Sequence, residues 1–182
     1  EVLKDTSSLK MELSIFSSVT SIGSEAFKNS GITFTSVDLT GCTSSGSVGT
    51  NAFTGTTVKK LVVNNNGVKA TYNNYSVASS SDKYPFYNVK GFETLVLKGT
   101  SFLDVMTSSM KSSVKSIEGL ENISGFSSSA LENTYNLKAE VSLTSKVTSI
   151  GSNAFKNSGL TFTSVDLTGC ASSGSVGTNA FT

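Results

Sequence analysis

The stretch Val19–Thr54 is written a second time at Val147–Thr182, with 33 of 36 positions identical. Only Glu25/Asn153, Ile32/Leu160 and Thr43/Ala171 differ. Upstream the echo weakens but persists, "LKDTSSLKMELS" at Leu3–Ser14 facing "LENTYNLKAEVS" at Leu131–Ser142, always 128 residues apart. Residues 3–54 are therefore equivalent to 131–182, and the chain holds one full long unit and the start of another. Short strands with Gly and Ser turns would also fit a β-sandwich. A duplicated unit that contains smaller degenerate repeats argues instead for a fold that grows by adding turns.

The smaller repeat shows first in "FTSVDLTG", where Phe34, Val37 and Leu39 give the strand pattern L-x-x-L-x-L. Val58, Leu61 and Val63 repeat it, as do Phe92, Leu95 and Leu97 and, more weakly, Val114 and Ile117. "LKMELSI" at Leu9–Ile15 and "LKAEVSL" at Leu137–Leu143 alternate with period two, and Phe162–Leu167 closes a set of seven strands. Between strands a small residue precedes a bulky one: Ala26-Phe27, Ala52-Phe53, Ala130-Leu131, Ala154-Phe155 and Ala180-Phe181, with Pro85-Phe86 as a variant. Apolar-Gly pairs come before most of these, at Ile22-Gly23, Val48-Gly49, Ile150-Gly151 and Val176-Gly177. Each turn thus supplies a strand and a return segment whose apolar residues fill a shared interior. Ala beside Phe permits close stacking, and Gly is expected to permit a tight bend.

The combination "VTSIGSEAF…FTSVDLTGC…SVGTNAF" resembles the BspA-like leucine-rich repeats of bacterial and protist surface proteins. The likeness is strong at 19–63 and 131–182, moderate at 85–99, and poor at 64–84 and 100–125. The usual proline after the strand is missing, since Pro85 is the only one, and Cys42 and Cys170 follow the strand rather than the A-F pair. The expected fold is a β-rich solenoid, a right-handed leucine-rich repeat coil with one short parallel strand per turn and about seven turns. Residues 1–182 form a single solenoid segment with an irregular insertion at 64–84. The resemblance implies a non-enzymatic cell-surface or secreted protein that presents an extended face for adhesion, with a protein or glycan as partner. The alternative is structural: a spacer, fibre, coat or sheath built by copies stacking end to end.

Composition narrows the chemistry. Only 15% of residues are charged and the net charge is +1, so no basic field exists to hold a phosphate backbone and nucleic acid is not expected. The chain contains no His and no Trp, which removes Ser-His-Asp and Cys-His arrangements and, with two Cys, any zinc site. No cofactor, metal or catalytic residue is expected. The S-x-x-K tetrads Ser7/Lys10, Ser108/Lys111 and Ser112/Lys115 are chance in so Ser-rich a chain. No apolar run is long enough to span a bilayer. Cys42 and Cys170 lie five coils apart, roughly 24 Å at about 4.8 Å per parallel strand, too far for a disulfide. They read as repeated core residues or, alternatively, as exposed thiols linking chains.

Two candidate recognition features remain. Outward strand positions are Thr35, Ser36, Asp38; Lys59, Lys60, Val62; Glu93, Thr94, Val96; Lys115, Ser116, Glu118; and Thr163, Ser164, Asp166. The column Lys59, Glu93, Lys115 alternates in sign, which either fixes strand register or meets a charged ligand. Tyr72, Tyr75, Tyr84 and Tyr87 cluster in and beside the insertion, among Ser and Asn, a recognition-loop composition. Tyr84 and Tyr87 read equally as flanks of the Pro85-Phe86 core pair. Asn74 and Asn122 begin glycosylation sequons. Thr182 stands where Thr54 does, before "GTTVKKLVV", so the parent sequence is expected to continue with a similar strand, or another chain to supply that surface.

Overall fold

The computed structural model describes residues 2–66, 83–102 and 105–182. Strands recur at the seven positions that the apolar pattern marks. They are β1 (Glu12–Ile15), β2 (Thr33–Asp38), β4 (Lys60–Val63), β5 (Thr94–Leu97), β7 (Ser116–Glu118), β9 (Glu140–Leu143) and β11 (Thr161–Val165). The two-residue β3 (Thr57–Val58) precedes β4 and pairs with β2. All pairings are parallel, in the order β1-β2-β4-β5-β7, and a separate parallel pair joins β9 to β11. Seven strands bound about six complete turns of a parallel solenoid, slightly fewer than the seven turns expected.

Register follows the inward residues. Val37 faces Leu61, Leu61 faces Leu95, and Leu95 faces Ile117, so one apolar row runs through four coils. The return segments form a second parallel sheet from β6 (Ser101–Phe102), β8 (Gly125–Phe126) and β10 (Ser149–Ile150), ordered β10-β8-β6. Isolated bridges Ile22–Val48 and Ile150–Val176 extend the same line at the apolar-Gly pairs. A six-residue helix, α1 (Ser108–Ser113), fills one return segment, capped by the Thr107 hydroxyl, which accepts from the Met110 N–H.

Phenylalanines stack between the two sheets. Phe53 lies parallel to Phe86 with centroids 4.8 Å apart, and meets Phe34 edge-on at 5.2 Å. Further along, Phe102 stacks on Phe126 at 5.9 Å, and Phe126 meets Phe155 edge-on at 4.7 Å. Ala26-Phe27, Ala52-Phe53 and Ala154-Phe155 each sit between two left-handed residues, such as Asn153 and Asn157, and Asn179 precedes Ala180-Phe181. Asn tolerates that conformation because its short side chain bonds locally, which explains its recurrence there.

Stacked coils approach so closely that the glycine of the apolar-Gly pair has a different role from the one expected. Gly49, Gly151 and Gly177 do not have positive φ. Instead, a Cβ on any of them would lie 2.3 Å from a backbone nitrogen of the preceding coil. The requirement is space, not a bend.

Candidate binding faces

The strand face carries paired charges and hydroxyls. Lys115 donates to Glu93 at 2.9 Å, and this hydrogen bond is the main cause holding the Glu93 carboxyl below its ordinary range. Backbone bonds from Glu93 to Lys59 (2.9 Å) and from Lys115 to Glu93 (2.8 Å) place the alternating column on adjacent coils, as read from the sequence. Lys59, however, pairs with Glu12 at 3.5 Å, across β2. Lys60 reaches Glu118 at 3.3 Å, across β5. Hydroxyl pairs bridge neighbouring strands at Ser14–Thr35 (2.7 Å), Thr94–Ser116 (3.0 Å) and Ser142–Thr163 (2.7 Å).

Two positions expected on this face are not available to a ligand. Val62 and Val96 are Cα partners and are 7% and 4% exposed, although they stand outside the continuous core. They pack side by side, and the Lys60–Glu118 pair crosses the strand that holds Val96.

The tyrosine cluster divides. Tyr84 is fully buried, donates its hydroxyl to the Val105 carbonyl at 2.6 Å, and tilts against Phe86 at 6.1 Å. It is a core residue, and the recognition reading is corrected there. Tyr87 is half-buried, and its carbonyl accepts from Gly55 N–H at 3.3 Å. Tyr72, Tyr75 and Asn74 lie outside the described residues. Asn122 ends a 3-10 turn (Leu120–Asn122), is exposed, and its amide donates to Glu121 at 3.1 Å.

Asn65 and Asn66, which drew no notice in the sequence, pin the next coil. The Asn65 carboxamide is buried, accepts from Gly99 N–H at 2.7 Å and donates to the Ser101 carbonyl. Asn66 accepts from both Thr100 and Ser101 N–H at 2.9 Å. Neither Cys42 nor Cys170 is in a disulfide. Cys42 is buried, which pushes its thiol upward, and it donates to the Val19 carbonyl at 3.4 Å. Cys170 is half-buried and makes the same contact with Val147 at 3.3 Å. Among the described residues no helix is long and apolar enough to cross a membrane.

One ion cluster explains a difference between the copies. Glu25 receives Lys28 at 2.6 Å and Lys4 at 2.5 Å, and these bonds lower its carboxyl from 4.5 to about 2. In the second copy Asn153 replaces Glu25, Glu132 replaces Lys4, and Lys156 pairs with Glu132 at 3.6 Å. The inter-coil ion pair is retained by a paired exchange. Because the folded carboxyl is the stronger acid, its stabilisation is complete above about pH 4.5 and is lost as pH falls through about 2. Glu25→Gln keeps the backbone demand and removes the charge. Its thermal midpoint should lie below wild type near neutrality, with the gap closing as pH approaches 2. A gap that persists at the acid end would show that the pairs contribute nothing.

A family model described as BspA type leucine rich repeat region, in six copies, matches residues 2–82 and 72–161. No curated protein and no solved structure matches the chain.

Proposed function

Because this chain belongs to the BspA-type leucine-rich repeat family, we propose that it is a non-enzymatic surface or secreted protein whose strand face recognises a protein or glycan. The observation that supports this most is the five-strand parallel face, on which charges are internally paired and hydroxyls bridge the strands. Such a face is rigid and carries little net field, so it favours uncharged hydrogen-bonding surfaces over nucleic acid or a cationic partner. Lys60, Glu93 and Lys115 supply the directional contacts, and the insertion's Tyr72 and Tyr75 are the recognition residues that composition suggests.

The test is a panel of immobilised matrix proteins and glycans probed with the whole chain. Binding is expected, and Tyr72→Ser with Tyr75→Ser should abolish it with thermal unfolding nearly unchanged. Equal loss of stability would assign those tyrosines to the core.

Polymers in electron micrographs of concentrated chain, without binding to any panel member, would favour end-to-end stacking of copies instead.

A further inference from the structure

We propose that a hollow between α1 and the turn at 132–135 is a binding site for a neutral saccharide. It lies among the return segments, off the strand face, and does not rest on the recognition role proposed above. Its volume is about 390 Å³ and its lining is Ser108, Lys111, Ser112, Glu132, Asn133 and Tyr135. That size falls within the roughly 300–1,000 Å³ of small-molecule sites.

The lining matches a sugar ring group by group. Tyr135 is 54% exposed and offers a flat apolar surface for the C–H face of a pyranose. Glu132 is a pure acceptor, held by Lys156 at 3.6 Å. Lys111 is a pure donor, its ammonium fixed on the Ser129 carbonyl at 2.6 Å with the side chain largely buried. The Ser108 hydroxyl and the Asn133 carboxamide both donate and accept, as sugar hydroxyls do, and the Ser112 hydroxyl, which donates to the Ser109 carbonyl at 3.0 Å, is left to accept. Asn133 is itself oriented by Asn157, whose amide donates to it at 3.0 Å. Opposite charges inside the hollow disfavour a strongly ionic ligand. A single aromatic among polar groups disfavours a wholly apolar one.

The duplication isolates the same residues. Leu131 and Thr134 keep the identities of Leu3 and Thr6, and both threonine hydroxyls donate to the preceding leucine carbonyl at 2.7 Å. Those residues make the turn. Glu132, Asn133 and Tyr135 replace Lys4, Asp5 and Ser7, so the outward positions differ while the turn is unchanged. Tyr135→Ser therefore restores a residue that the fold already carries in the other copy.

The test is a titration of isotope-labelled whole chain with glucose, galactose and N-acetylglucosamine, followed by amide chemical shifts. Saturable shifts confined to residues 108–112 and 132–135 are expected with at least one sugar. Tyr135→Ser should weaken that binding about tenfold, as loss of a single aromatic contact does, with an unchanged thermal midpoint. Shifts with none of the three sugars, or shifts unaffected by Tyr135→Ser, would overturn the proposal. So would movement of the same amides by a short neutral peptide and by no sugar.

Discussion

Phe53→Ala is expected to destabilise the chain by about 3–5 kcal/mol, whereas Phe181→Ala should cost about 1–2 kcal/mol. The two residues occupy the same place in the same repeat, within copies that agree at 33 of 36 positions. Only their neighbours differ. Phe53 is fully buried among Phe27, Phe34 and Phe86, and the Pro85 carbonyl accepts from its own N–H at 2.8 Å. Removing its ring leaves a closed cavity between coils, so the lost transfer energy and the cavity cost add. Phe181 touches Phe155 and Phe162 at 5.3 and 5.4 Å but is 41% exposed, and truncation there opens onto water. Denaturant unfolding of both variants at low protein concentration measures the difference. Equal costs there would show that burial does not set the difference between the two positions. A Phe181→Ala cost that grows with protein concentration would show another copy covering that ring.

The contrast also explains what the sequence could reveal. Coil architecture was legible because each strand needs inward apolar residues at L-x-x-L-x-L spacing, and Phe34, Leu61 and Leu95 satisfy that locally. Four strand positions follow from that pattern, Val114 and Ile117 match it weakly, and Leu9–Ile15 and Leu137–Leu143 show period-two alternation instead. What failed depends on contacts between coils. Lys59 stands on the expected column, yet its partner is Glu12 rather than Glu93, because a long side chain can reach across an intervening strand. Val62 and Val96 read as outward residues and do point off the core, but each shelters the other. Tyr84 has the composition of a recognition residue, and only a carbonyl from a later coil, that of Val105, shows why its hydroxyl can be buried. Asn65 and Asn66 carry no motif, because the groups they pin lie more than thirty residues away. The hollow beside Tyr135 has no signature in the sequence for a related reason: its helix and its turn come from successive return segments that share no motif.

Gly49→Ala and Gly23→Ala should have opposite signs, although both residues are the glycine of an apolar-Gly pair. A Cβ on Gly49 would stand 2.3 Å from the Ser24 nitrogen and 2.7 Å from the Gly23 carbonyl carbon. Those are backbone atoms, so no rotamer change relieves the clash, and the two coils must separate. They are joined at that point by Gly49 N–H to the Ile22 carbonyl at 2.8 Å and by Ile22 N–H to the Ser47 carbonyl at 2.7 Å. Overpacking of about 1–3 kcal/mol, with about 1 kcal/mol for each bond strained or lost, gives a cost of about 3 kcal/mol or more. Gly23 has no atom within 4 Å of the same position and does not have positive φ. Alanine there restricts only the unfolded chain, which should stabilise the 182-residue chain by about 0.4–1 kcal/mol. Unfolding midpoints of the two variants, measured beside wild type, decide the matter. If both substitutions destabilise equally, the glycines serve a bend common to every coil, as first expected from the sequence, and coil spacing does not set the requirement.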